Sequence, residues 1–301
     1  NGKIEEIPNW YFKFSFINEK EEEEAGHLIS LKPKTGEFKM YKANEKLFLG
    51  SEGITPPTPP EGIWSSDLIV SSAMWIEIRI SGTGYIDWGD SSQQTYNGLQ
   101  RIYTRYFEPG SYVVEFFGTL TSFSCLTPNS NFYHDIRLLP NTITSYINEG
   151  VNTAYGDLSE LPEDIITFTS KGNSIITGDI QNIPQYLKNI IIEGNNIVSG
   201  NIGLISSISE ITKIEVRGNN TISQYTGYPI AFNSRINNFK IQQIQGSGFD
   251  SAEVDNIIID LYNSGMSSGD VELFFNNAPR TSLSDVAFTG LIQRGVIVDT
   301  N

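Results

Sequence analysis

Residues 183–201 read IPQYLKNIIIEGNNIVSGN, and parts of this stretch recur along the chain every 22 residues. The recurring parts are a Leu-Pro or Ile-Pro pair, a glycine, and a Gly-Asp or Gly-Asn pair: Leu139-Pro140, Leu161-Pro162 and Ile183-Pro184; Gly150, Gly172 and Gly194; Gly156-Asp157, Gly178-Asp179 and Gly200-Asn201. A fixed period of this size is typical of a solenoid, in which one short supersecondary unit stacks on the next. The sequence therefore predicts a solenoid from Leu139 to about Ile222.

The clearest copy has the spacing L-x-x-L-x-L-x-x-N-x-L, formed by Leu187, Ile190, Ile192, Asn195 and Ile197. This spacing resembles the leucine-rich repeat family, with Ile largely replacing Leu. Side chains alternate along a strand, so we expect Ile190 and Ile192 to point inward. We expect the Asn195 amide to point inward at the following turn, where it can satisfy backbone groups left unpaired by the bend. The predicted solenoid spans residues 126–248.

Composition restricts the class of partner. The chain has 301 residues, with 35 acidic against 20 basic residues and a net charge of -15. This charge argues against nucleic acid and against anionic membrane surfaces, and no apolar run has the length of a membrane span. Cys125 is the single cysteine, which we expect to be a small buried hydrophobic residue. No leader is recognised, but the chain begins at Asn1 rather than Met, so an upstream leader or domain stays open.

The N-terminal region is predicted to be separate. Trp10, Phe12, Phe14 and Phe16 alternate with polar residues, which is strand periodicity. We expect residues 1–50 to form a small antiparallel β appendage that covers the next domain or docks on a partner chain. Residues 51–62 contain the run PPTPP, which favours an extended, semi-rigid linker.

Residues 63–125 show an all-β pattern that contains Asp87-Trp88-Gly89-Asp90 and, after an aromatic strand end, Pro109-Gly110-Ser111-Tyr112. This order is similar to the polycystic-kidney-disease (PKD) type of immunoglobulin-like β-sandwich. The resemblance implies that Trp88 anchors the core between two sheets. The chain departs from that pattern at Ser91, where the family has glycine, and at Arg105, where a histidine is common.

Asp87 and Asp90 have two interpretations. Two carboxylates around a glycine turn can ligate calcium, which takes six or more oxygen ligands. Aspartates in such turns also cap their own backbone, and this is the interpretation we favour.

In residues 249–301 the repeat pattern ends, and the sequence predicts two helix–strand units. We expect these units to cap the open end of the solenoid. We expect the first helix to begin with Ser251 as its N-cap and to end at Asn263-Ser264-Gly265. The order helix, Ser264-Gly265, strand, Ala278-Pro279, helix, Arg294-Gly295-Val296 is similar to a terminal module of Bacteroidetes surface proteins and of virion fibre or tail proteins of their phages. Overall we expect a mainly β fold with some α.

Residues with catalytic spacing are missing from the sequence. The two histidines, His27 and His134, have no Cys or His at metal-ligand spacing, and no nucleophile elbow, zinc-protease or phosphate-loop motif occurs. We therefore predict a non-enzymatic protein with no catalytic, cofactor-binding or metal residues. Paired carboxylates of a glycan-active enzyme stay open as a different-class alternative.

One set of residues forms a candidate partner face. If the repeats stack in register, Glu149, Lys171, Glu193 and Arg217 lie on successive strands about 4.8 Å apart and form an outward ladder of alternating charge. The adjacent row would be Ile147, Thr169, Ile191 and Glu215. The alternative is that the ladder sets strand register and solubility only.

These patterns together predict a surface-exposed structural or binding protein. The resemblances imply an extracellular setting: a phage virion, as a fibre or as a tail or capsid decoration protein, or a bacterial cell surface, as a leucine-rich-repeat adhesin. The expected partners are a protein or glycan receptor or neighbouring virion proteins, without nucleic acid or a membrane span, and a homo-oligomer stays open.

Overall fold

The structure is a computed structural model that describes residues 64–106, 108–125, 131–205, 210–225, 232–244 and 246–301, together with the backbone of six strands before residue 51. The chain divides into two compact units, Asn1–Thr58 and Pro59–Asn301. The described residues are mainly β, with one large mixed sheet and few helices.

The first unit contains antiparallel strands. Its strands are β1 (Lys3–Ile7), β2 (Tyr11–Ile17), β3 (Glu23–Ala25), β4 (Ile29–Ser30), β5 (Lys39–Ala43) and β6 (Lys46–Gly50). β2 pairs with β1, β3 and β4, while β5 and β6 form a hairpin. The alternating Phe12, Phe14 and Phe16 lie within β2, and the predicted linker at residues 51–62 lies outside the described residues.

The second unit begins with five antiparallel strands: β7 (Trp64–Val70), β8 (Met74–Asp87), β9 (Gln93–Asn97), β10 (Gln100–Tyr106) and β11 (Gly110–Cys125). β8 pairs with β9, β10 and β11, and β11 also pairs with β7. Trp88 is buried, and its carbonyl oxygen accepts a 2.6 Å hydrogen bond from the Tyr106 hydroxyl.

Parallel strands follow in two ladders. They are β12 (Asn131–Asp135), β13 (Ser145–Asn148), β14 (Thr153–Asp157), β15 (Thr167–Ser170), β16 (Ile175–Asp179), β17 (Asn189–Ile192), β18 (Ile197–Asn201), β19 (Lys213–Gly218), β20 (Thr221–Gln224), β21 (Asn238–Gln243), β22 (Gly269–Phe275) and β23 (Val296–Thr300). The first ladder runs β13-β15-β17-β19-β21-β22-β23, and the second runs β12-β14-β16-β18-β20. Partners in β13, β15 and β17 are 22 residues apart, as in Ser145, Thr167 and Asn189.

β11 joins the antiparallel and parallel strands. Its first half pairs with β7, and its last four residues, from Ser122 to Cys125, pair in parallel with β13. β7 also pairs with β12, which begins the second ladder. The predicted boundary at residues 125/126 thus falls between strands of one hydrogen-bonded sheet.

Aliphatic and aromatic columns fill the space between the ladders, because alternate side chains of each strand point inward. One column consists of fully buried residues from six successive strands: Tyr146, Phe168, Ile190, Ile214, Phe239 and Val271. Ile190 and Ile192 are buried as predicted.

The predicted inward asparagine was wrong by one residue. Asn195 is exposed, whereas Asn196 is fully buried and its Oδ1 accepts a 2.7 Å hydrogen bond from the backbone N–H of Ile176 in the preceding coil. Ile197, the last position of the repeat spacing, is 54% exposed, and Val198 is buried instead. The reason is Gly194, whose φ of 113° turns the corner so that the next residue lies outside and the one after it returns inward.

Short 3-10 turns connect the ladders at Ile136–Leu138, Leu158–Glu160, Ile180–Asn182 and Ile202–Leu204, and another lies at Ser282–Ser284. The described residues also form the helices α1 (Ser251–Asn263) and α2 (Asp285–Gln293). Asp250, not the predicted Ser251, caps α1: its carboxylate accepts from the Glu253 N–H at 2.8 Å, and the Glu253 carboxylate accepts from the Asp250 N–H. Neither helix combines the length and the apolar character needed to cross a bilayer.

Candidate partner-binding face

The four charged residues predicted to align do lie in one row on the outer face of the first ladder. Lys171 Nζ lies 3.4 Å from a Glu149 carboxylate oxygen and 3.9 Å from Glu193, and Arg217 lies 3.9 Å from Glu193 on the other side. Their side chains are between 27% and 38% exposed. Each cation therefore bridges carboxylates of different coils, at distances at the long end for ion pairs.

The ion pairs on this face extend further than sequence reasoning predicted, through the adjacent row, in which Lys240 and Glu272 follow Glu215 in register. Arg217 lies 3.2 Å from Glu272, and Lys240 lies 2.7 Å from Glu272 and 2.8 Å from Asp270. Lys240, Asp270 and Glu272 were missed because the spacing between paired strands changes from 22 residues to 24, 25 and then 32. The sequence does contain a signal for Lys240 and Glu272. Each lies between two apolar residues of its strand, and a residue between two inward-pointing residues must itself point outward.

The adjacent row is much less accessible than a partner surface requires. Thr169, Ile191 and Glu215 are only 4%, 9% and 6% exposed, and Ile147 is half-buried. Strands on both sides lie about 4.8 Å away, so neighbouring side chains cover this central row. The accessible part of the candidate face is the charged row itself.

This face is electrostatically balanced. Four cations (Lys171, Lys213, Arg217 and Lys240) lie among five carboxylates (Glu149, Glu193, Glu215, Asp270 and Glu272). Burial alone would lower the pKa of Lys240, but hydrogen bonds with Asp270 and Glu272 outweigh it and raise the pKa above its ordinary value. The charges satisfy one another, so the face offers no strong net field to a charged partner.

A second feature, which sequence reasoning missed, is an open groove of about 410 Å³ that we call the tyrosine cleft. It lies along β7, β11, β12 and β14, and its lining residues are Asp67, Leu68, Ile69, Ser111, Tyr112, Val113, Tyr133 and Tyr155. Leu68 and Tyr112 pack toward the core, whereas Asp67, Ile69, Ser111 and Val113 are exposed. Register places Val113 and Tyr133 on either side of Asp67. Burial raises the pKa of the Tyr155 hydroxyl, and the negative charges of Asp135 and Asp67 raise it further.

Behind this region His134 lies in a buried aromatic cluster. Its ring stacks between Trp64 and Phe132, with centroid distances of 5.3 Å to each, and Phe123 and Tyr146 meet it edge-on. Neither ring nitrogen has a hydrogen-bond partner among the described residues. Burial lowers the pKa of His134 to about 3, so the imidazole is neutral at physiological pH. Cys125 is also buried, as expected.

Asp87 and Asp90 cap their own turn. Asp87 accepts from the Gly89 N–H at 3.0 Å and from the Gln93 side-chain amide, and Asp90 accepts from the N–H and hydroxyl of Ser92. Within the described part of the chain, no three His, Cys, Asp or Glu side chains form a group that could hold a metal ion. The turn-capping interpretation accounts for both carboxylates.

Comparisons of this chain with protein-family models, with curated proteins and with solved structures give no match.

Proposed function

We propose that this chain is a non-enzymatic, surface-exposed structural and binding protein of a phage virion, as a fibre or as a tail or capsid decoration protein. The observation that supports this most is the single sheet formed by the described strands between Trp64 and Thr300, in which antiparallel and parallel strands share β11. Such a sheet has no flexible joint at the shared strand. This rigidity suits a virion component that holds a binding surface at a fixed distance and orientation.

In this proposal the charged row of the first ladder meets the partner, which is a receptor or a neighbouring virion protein. The spacing of the coils resembles leucine-rich repeats, whose outer strand face is the usual partner surface. Because its ion pairs are partly exposed, the row can exchange internal partners for external ones at a cost of about 1 kcal/mol or less per pair. Such an exchange of ion pairs selects a partner whose charges align with the row, but it does not by itself give high affinity.

Solution mass by light scattering tests the proposed setting. The full chain is compared with a version that starts at Gly62 and retains nearly all of the second compact unit. We expect a trimer that becomes a monomer without residues 1–61, because a fibre needs an assembly element. A monomer in both forms would contradict the fibre role.

The alternative setting is a bacterial cell-surface adhesin with leucine-rich repeats. The C-terminal order of two helix–strand units supports it, because this order also resembles modules of Bacteroidetes surface proteins. A monomer that binds a receptor through the charged row would favour the adhesin. Turnover of a glycan by the purified chain would instead support the enzymatic alternative.

A further inference from the structure

We propose that the tyrosine cleft binds a neutral oligosaccharide. This inference deepens the proposed function, on which it rests, because it gives a surface binding protein a ligand class and a site separate from the charged row. The cleft volume of about 410 Å³ lies within the range of small-molecule sites. Its open form accommodates part of a longer chain rather than an enclosed small molecule.

The lining chemistry matches a sugar. A pyranose ring has apolar C–H faces and a rim of hydroxyls, so it needs aromatic surface and hydrogen-bonding groups side by side. Tyr133 and Tyr155 supply apolar ring surface with a polar tip, and Ile69 and Val113, at 40% and 52% exposed, extend the apolar part. Exposed apolar side chains next to two tyrosines are unusual for a surface that only faces water.

Asp67 determines which sugars fit. It is the only charged residue among those that line the cleft, and its carboxylate makes no ion pair or side-chain hydrogen bond with the described residues. The nearby Asp135 is instead held by Arg137, whose Nη2 lies 2.7 Å from it. A free carboxylate accepts hydrogen bonds from sugar hydroxyls, and these are about twice as strong as bonds between neutral groups. The same charge, in a chain with a net charge of -15, repels acidic sugars.

The cleft is also preorganised. Asp67 and Ile69 lie on β7, which pairs with β11 on one side and with β12 on the other. The Tyr112 ring packs 4.5 Å from Tyr106, and its hydroxyl donates to the Glu108 carbonyl at 2.9 Å. A ligand therefore does not have to order these strands, which lowers the entropic cost of binding.

The test is saturation-transfer NMR on the full chain with four neutral probes: cellotetraose, maltotetraose, mannotetraose and N-acetylated chitotetraose. Tetragalacturonate serves as the acidic probe. We expect at least one neutral probe to bind with a Kd between about 0.1 and 10 mM, which corresponds to a small, open site. Tyr133→Ala should weaken this binding at least tenfold and Asp67→Asn at least threefold. Tyr186→Ala, which changes a tyrosine that is 52% exposed outside the cleft, should leave it unchanged.

Absence of binding by all four neutral probes at about 10 mM would overturn the proposal, as would equal binding of tetragalacturonate. Unchanged affinity in a folded Tyr133→Ala variant would also overturn it. If that variant does not fold, Ile69→Glu replaces an exposed side chain and adds a second carboxylate, and wild-type affinity in this variant would refute the site. A trimer without sugar binding would reject only the cleft, whereas a monomer that binds sugar would reject only the fibre.

Discussion

His134 should make the stability of this protein fall as the pH decreases from about 6.5. The folded-state pKa of about 3 lies well below the ordinary value of 6.5 for histidine. The unfolded chain therefore takes up a proton at a pH where the folded chain does not, and protonation favours unfolding. The direction of the pH dependence follows: the stability that the neutral His134 contributes is fully present above pH 6.5, and it is lost as the pH falls toward the folded-state pKa.

The size of this effect follows from the difference between the two pKa values. Each pH unit between them is worth 1.36 kcal/mol, so the loss is about 2 kcal/mol at pH 5 and approaches about 5 kcal/mol near pH 3. Carboxylates with lowered pKa add to acid sensitivity, among them Asp135, held by Arg137, and Asp157, held by Ser159. Their contribution is lost mainly below pH 4, so the window from pH 4.5 to 6.5 reports on His134.

The assay is urea unfolding at half-unit steps from pH 4.5 to 8, followed by tryptophan fluorescence. One of the four tryptophans, Trp64, stacks on the His134 ring. His134→Phe keeps an aromatic ring between Trp64 and Phe132 but cannot be protonated. We expect the wild-type free energy of unfolding to decline by about 2 kcal/mol between pH 6.5 and 5, and that of the variant to stay within about 0.5 kcal/mol. The comparison uses slopes, so a constant offset from repacking does not affect it.

Parallel pH profiles for wild type and variant would refute the reasoning. They would mean that the imidazole finds a proton-accepting partner or water in the folded state, so that burial does not penalise its charged form. His134→Leu provides a second non-titrating variant if phenylalanine is too large for the site.

Three further predictions concern the coils. Asn196→Ala leaves a buried N–H without an acceptor and should lower the free energy of unfolding in urea by about 1 to 3 kcal/mol. Asn195→Ala should lower it by less than about 0.5 kcal/mol. Equal losses in the two variants would contradict the observed register. Gly194→Ala places a Cβ 2.1 Å from a backbone carbonyl oxygen at positive φ and should lower the free energy of unfolding by more than about 3 kcal/mol. Gly98→Ala, also at positive φ but with open space around the Cβ, should lower it by about 1 kcal/mol. Similar melting temperatures of the two variants would argue against close stacking of the coils. Lys171→Glu should destabilise by about 1 kcal/mol at low salt and less at high salt, and an unchanged free energy at low salt would show that the charged row does not set register.

The sequence predicted the parts of the fold that depend on local repetition. Alternation along a strand is sufficient to place Ile190 and Ile192 inward and Lys171 outward, and a 22-residue period aligns Glu149 with Lys171 and Glu193. The register beyond the corner could not be predicted in this way. It depends on how far Gly194 turns the backbone, and the repeat spacing is compatible with either asparagine of the Asn195-Asn196 pair.

Features built from distant segments were not predictable from spacing. Arg217 and Glu272 are 55 residues apart and meet only because coils of unequal length stack in parallel. The long strand β11 was another such case, because residues 112–116 have an ordinary strand pattern that gives no sign of pairing continued to Cys125. The tyrosine cleft takes its lining from four strands, and the motif that one of them carries, Pro109-Gly110-Ser111-Tyr112, indicates a strand of a β-sandwich and not a groove.

The shared strand links the two candidate binding surfaces physically. β11 contributes Val113 to the tyrosine cleft and, through Cys125, pairs with Asn148, the neighbour of Glu149 in the charged row. Both surfaces are therefore attached to one hydrogen-bonded strand, with no linker between them. A partner on the charged row and a glycan in the cleft would consequently be held at a constant separation. This arrangement favours simultaneous engagement, because the second contact then loses little further rotational freedom.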